Sequence, residues 1–207
     1  MVAIRRKCKE YVMKFFSEFL AEDINPITVS YNDLNQSDRL AYRALSDMSY
    51  NDIFINIPKY ADSGEAIKSY ILYKMIRAMN IQKGASIDSP EIVKRLEAGN
   101  YLTNALMIST LSQFGVAQHW GILSYFTEVL PEKYITPELI EACLKISICN
   151  IRSVPHPTKE HVTTALTDPE FIQEPDLYTD FVKKHFKDNT VLLNKWMRYG
   201  ENMRGMS

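Results

Sequence analysis

Apolar residues along this chain recur mostly three and four positions apart, the spacing of one face of a helix. Over Val2 to Glu22, the residues Val12, Phe15, Phe16, Phe19 and Leu20 form such a stripe, while Lys7, Lys14 and Glu18 fall off it. That predicts an amphipathic helix, closed by Asn25-Pro26. Two short runs follow a different rhythm. Ile27-Thr28-Val29-Ser30-Tyr31 and Ile53-Phe54-Ile55-Asn56-Ile57 alternate at period 2 and predict a small two-stranded sheet within 27–57. Between them a short helix is expected, capped at Ser37, with Ala41, Ala44, Leu45 and Met48 on one face.

From Ser63 onward the pattern is helical throughout. Ile67, Ile71, Met75 and Met79 share one stripe of a helix that stops near Gly84. Ser89-Pro90-Glu91, Thr136-Pro137-Glu138 and Asp168-Pro169-Glu170 repeat one start signal. In each, a side-chain oxygen caps an orphan backbone N–H and proline takes the first helical position, where it needs no N–H. Glutamate then sits at the positive end of the helix dipole. A further start is expected at Thr158, and Gly99, Gly115 and Gly200 lie where helix C-caps belong.

The C-terminal third is repetitive. Thr136–Ile148, Thr158–Ile172 and Tyr178–Leu192 each open on a polar cap and carry an apolar stripe, at an offset of 20–22 residues. In the latter two, Asp168-Pro169 and Asp188-Asn189 interrupt the pattern four residues before Ile172 and Leu192. That offset is too short for a tetratricopeptide or ankyrin unit but fits a helix and a short counter-helix. With its Asp-Pro-x-x-Ile break and its texture rich in Ile, Asn, Tyr and Lys, the stretch 136–196 resembles the short helical-hairpin repeats of tailed-phage and large-DNA-virus proteins. The resemblance implies a viral protein of interaction type and carries over no catalytic residue.

Composition narrows the class. The 207 residues are 46% hydrophobic and 24% charged, with 7 Gly and 9 Pro, as in ordinary globular chains. No apolar stretch approaches the ~20 residues of a membrane span, and Lys9, Glu10 and Lys14 interrupt what would be a signal sequence behind Arg5, Arg6 and Lys7. Three cysteines, Cys8, Cys143 and Cys149, suit free thiols in a reducing, cytoplasmic setting. The net charge of −1 gives no bulk attraction to nucleic acid, yet its distribution is uneven. Residues 1–14 and 183–204 carry +4 each, which leaves −9 on the remainder.

Four residues suggest a metal site: Cys143, Cys149, His156 and His161 fall within 19 positions. Zinc takes four such ligands, usually as two closely spaced pairs. Here the two cysteines stand six apart on an expected helix and point away from each other, so they read as buried packing residues, and no metal is assigned. The chain contains no nucleophile elbow, phosphate-binding glycine loop or His-Glu-x-x-His helix. In His119-Trp120-Gly121 the histidine could act as a general base, but an aromatic core residue beside a half-buried histidine is the simpler reading. The pairs Glu138/Glu141 and Asp168/Glu170 sit where helix starts attract acids anyway.

These observations add up to a mainly α, compact multi-helix domain over residues 1–207, with a subdivision into 1–84 and 85–207 left open. The expected function is that of a non-enzymatic interaction protein, viral by resemblance, which binds a protein partner or assembles with itself. The expected contact residues are Lys183, Lys184, Lys195, Trp196 and Arg198, with Val191, Leu192 and Trp196 forming a buried stripe beneath Lys195 and Arg198. No catalytic residue and no cofactor are assigned. Nucleic-acid binding by the two basic ends is the alternative, since Trp196 and Tyr199 among cations can stack on bases. An enzyme with a dispersed site is the second alternative.

Overall fold

The computed structural model describes residues 34–81 and 89–165, together with 181–185, 187, 190–191, 193–194 and 197–198. Among the described residues the fold is mainly α, as expected, and contains no strand. In chain order they are α1 (Gln36–Asp47), α2 (Tyr50–Asn56), α3 (Glu65–Ile81), α4 (Ser89–Ala98), α5 (Asn104–Thr110), α6 (Ile122–Thr127), α7 (Pro137–Ile146) and α8 (Lys159–Ala165). Tight 3-10 turns link several of them, at Ile57–Tyr60, Leu111–Gln113, Val116–Gly121, Glu132–Tyr134 and Ile148–Ser153.

The run Ile53–Ile57 corrects the sheet expectation: it lies in α2 and the turn that follows. Ile53, Ile55 and Ile57 satisfy a period of 2, but Ile53 and Ile57 also stand one helical turn apart, and both are fully buried while Ile55 is exposed. The preceding residues decide between the two. Ser49 Oγ accepts from the Asp52 N–H at 3.2 Å and donates to its carboxylate at 2.6 Å, which fixes a helix N-terminus. The partner run Ile27–Tyr31 lies outside the described residues, as do the 2–22 helix, Gly84, the 168–170 start, Gly200, Lys195 and Trp196.

Other starts follow the sequence closely. Thr136 caps α7 by accepting from Leu139 N–H, Thr158 caps α8 through His161 N–H at 3.2 Å, and α4 begins at Ser89. The first helix is capped two residues earlier than expected. Asn35, not Ser37, accepts from Asp38 N–H and donates back to its carboxylate. Ala44, expected on the buried face of α1, is exposed, and Leu45 is the residue that face buries. Gly115 opens the Val116–Gly121 turn instead of ending a helix, its N–H held by the Gln118 side chain.

At the end of α4 it is Asn100, at φ 57°, that takes the left-handed turn. Tyr101 N–H reaches back to the Leu96 carbonyl and Asn100 N–H to Glu97. Gly99 is there for closeness: a Cβ would meet the Tyr101 ring at 2.5 Å. Tyr101 is fully buried, and its hydroxyl donates to the Ile57 carbonyl at 2.9 Å, which ties α4 to the end of α2.

α3 is the hub. Ile67, Ile71, Leu72, Met75, Ile76 and Ala78 are fully buried, a wider face than the predicted stripe, and α1, α2, α4, α5 and α6 all pack around it. Small polar residues let α3 and α5 approach closely, Ser69 Oγ donating to Ser109 Oγ at 3.0 Å in the interior. A second junction forms at the Ile148–Ser153 turn, against which α6, α7 and α8 pack. Its centre is Asn150, fully buried. The Asn150 amide NH2 donates towards the carbonyls of His119, Cys143 and Ser147 at 2.8–2.9 Å, and its oxygen accepts from Leu123 N–H at 2.9 Å. One side chain thus joins three chain segments.

Candidate functional site

The four residues of the suggested metal cluster are held apart by separate roles. α7 ends at Ile146, so Cys143 and Cys149 lie on different elements, both buried. Complete burial pushes the Cys143 thiol pKa far up, which leaves it an unreactive packing group. His156 Nε2 lies 3.0 Å from the Glu132 carboxylate and His161 Nε2 lies 3.3 Å from that of Glu141. Among the described residues no group of three or more His, Cys, Asp or Glu is placed to hold a metal ion.

His119 and Trp120 exchange the places expected of them: the histidine is buried and the tryptophan is 62% exposed. The Val116–Gly121 turn causes the exchange by aiming the His119 ring back at the Phe114 carbonyl, 3.3 Å from Nε2. A carbonyl only accepts, so Nε2 carries the proton. Burial holds the His119 pKa down, and the ring is neutral at pH 7. It is packed inside the fold.

Of the expected contact residues, Lys183, Lys184 and Arg198 are described and all three are exposed. Val191, expected in a buried stripe, is 78% exposed. Lys184 enters a cleft of about 360 Å³ whose other walls come from distant parts of the chain. Thr127 and Leu130 follow from α6, Glu132 and Ile135 from the turn before α7, Arg152 to Pro155 from the Asn150 junction, and His185 from the 181–185 helix. Neither Arg152 nor His185 is marked by any sequence motif, because the cleft is assembled from three separated segments. Burial first, and then the charges of Lys184 and His156, press the His185 pKa down.

A second surface runs along the outer side of α3. Tyr70, Tyr73, Lys74 and Arg77 stand at helical spacing, and Tyr42 of α1, Tyr50 of α2 and Tyr125 of α6 flank them. Rings follow one another at centroid distances of 4.4 Å (Tyr42–Tyr70), 6.3 Å (Tyr70–Tyr73), 5.0 Å (Tyr73–Phe114) and 5.2 Å (Phe114–Tyr125). Lys74 Nζ lies 5.3 Å above the Tyr70 ring and 6.0 Å above Tyr50, and Arg77 donates to the Tyr73 hydroxyl at 3.0 Å. Burial raises the pKa of Tyr42 and Tyr70, so both phenols stay neutral. The Ile67 stripe signalled the buried side of this helix, while the tyrosines between its members hold the signal for the outer side.

No protein-family model matches the chain, and no curated protein or solved structure gives a significant match. Among the described residues no helix is long and apolar enough to cross a membrane.

Proposed function

We propose that this chain is a non-catalytic interaction protein whose outer α3 face docks a protein partner or a second copy of itself. The observation that supports it most is the set of half-buried tyrosines Tyr42, Tyr50, Tyr73 and Tyr125, with Lys74 and Arg77 packed over them. Tyrosine and arginine dominate interface energetics because they bring large contact area at little entropic cost. Here ring–ring and cation–ring contacts already restrain the side chains, so little rotamer freedom remains to lose on docking. The basic C-terminal segment, Lys183, Lys184, Lys195, Trp196 and Arg198, is proposed as a second contact on its chemistry, and a viral origin on the resemblance of 136–196.

The test is quantitative capture from the native cell together with light scattering of the purified chain. The Lys74→Glu/Arg77→Glu variant should lose a captured protein, or a self-associated species, that wild type retains. If it folds and keeps every one of them, the α3 face is inert. Cations interleaved with aromatic rings also suit single-stranded nucleic acid, and that second reading has its own signature. Binding of an oligonucleotide should then fall linearly in log affinity with log salt, and no binding at low salt removes it.

A further inference from the structure

We propose that the cleft lined by Arg152, Lys184 and His185 is a binding site for a small phosphate-bearing ligand. Its volume, about 360 Å³, falls within the ~300–1,000 Å³ of small-molecule sites. The two sides of such a ligand find different surroundings. Leu130, Ile135, Val154 and Pro155 supply apolar lining for a carbon skeleton. Arg152, Lys184 and His185 supply cationic or donor groups, and Thr127 and Ser153 supply hydroxyls.

That donor set matches a tetrahedral dianion better than a planar carboxylate. An arginine fork grips two phosphate oxygens at once, a lysine adds a point charge, and hydroxyls or an imidazole N–H serve the remaining oxygen. Glu132 is the one acid among the described lining residues, and its carboxylate faces His156 Nε2 at 3.0 Å, at the exposed rim. Arg152 and Lys184 thus bring two fixed positive charges to the cleft, with His185, next to Lys184 in the chain, as a neutral donor or acceptor.

This inference is independent of the α3 face. The probe is phenyl phosphate, titrated into the full chain by calorimetry at low salt and pH 7, with benzoate as the carboxylate comparison. Phenyl phosphate should bind saturably, with one site, at least tenfold more tightly than benzoate. Arg152→Gln and Lys184→Gln should each weaken it about tenfold, whereas Lys187→Gln, an exposed lysine of the same segment outside the cleft lining, should leave it unchanged. Arg152 and Lys184 are both exposed, so folding should survive, and Arg152→Lys, which keeps the charge and removes the fork, covers the case in which Arg152→Gln does not. A single-stranded oligonucleotide gives the second arm. If it competes with phenyl phosphate and loses affinity in the same variants, the phosphate belongs to nucleic acid; if it does not compete, the ligand is a free phosphate ester. The proposal is overturned by absence of saturable binding, by equal affinity for benzoate, or by equal weakening in Lys187→Gln. The Lys74→Glu/Arg77→Glu variant should bind phenyl phosphate normally, so the two proposals fail separately.

Discussion

Asn150 shows what a single side chain can carry when it is sealed from water. Four backbone groups meet it: the Leu123 N–H and the carbonyls of His119, Cys143 and Ser147, the last two of which also accept from the Ser147 and Asn150 N–H groups. Asn150→Leu would take the side-chain acceptor from the Leu123 N–H and the side-chain donor from the His119 carbonyl. Each buried polar group left unmatched costs about 1–3 kcal/mol. A loss of roughly 2–4 kcal/mol in urea unfolding is expected, a large part of the ~5–15 kcal/mol typical of a domain. A loss below about 1 kcal/mol would mean the carbonyls find other donors. His119 acts through its proton. Folding holds its pKa below the ordinary 6.5, so the unfolded chain takes up protons more readily. The stabilisation from neutral His119 is therefore complete above 6.5 and is lost as pH falls through the folded value. His185 shifts in the same direction and adds to the effect. Comparing urea midpoints at pH 7.5 and 5.5 should show a drop in wild type that shrinks in His119→Gln, whose amide can still donate to Phe114. An unchanged drop would place the acid sensitivity elsewhere.

At the scale of elements, the chain announces its helices where a cap and a stripe agree. Thr136 and Thr158 each combine two independent signals, and both appear as expected, as does the helix carrying the Ile67–Met79 stripe. The failure at Ile53–Ile57 has the opposite cause. Five residues with isoleucine at alternate positions fit either period, and the deciding contact is made upstream by Ser49. Ser49→Ala should cost about 1 kcal/mol by freeing the Asp52 N–H, with α2 still held by the burial of Ile53 and Ile57. A neutral result in chemical denaturation would assign the start of α2 to packing alone. Glycine is a mixed mark. Gly99 stands at the C-cap of α4 as expected, with Asn100 taking the left-handed turn after it and a ring packed on its surface, whereas Gly115 opens a turn instead of closing a helix.

Over the whole molecule, chemistry is harder to read than architecture, because the cleft gathers residues 127–135, 152–155 and 184–185 through a junction that a lone buried asparagine organises. Neither that asparagine nor the cleft arginine stands in a motif. Charge is legible, and it makes a prediction on its own: Lys183→Glu with Arg198→Glu should leave stability within about 0.5 kcal/mol, since both side chains are exposed. The same pair should weaken any association in a salt-dependent way, read by sedimentation at low and high salt. Full retention of association would direct the search to the acidic middle of the chain. The Asn150 junction also bears on time. Leu123 N–H belongs to the first turn of a six-residue helix, a position that ordinarily has no partner within its helix and trades its hydrogen with solvent quickly. Here that hydrogen is bonded to a buried oxygen from 27 residues further along the chain, and it escapes only when 143–153 separates from α6. Its deuterium uptake should therefore be as slow as that of the α3 interior, making one amide a clock for the opening of the whole structure.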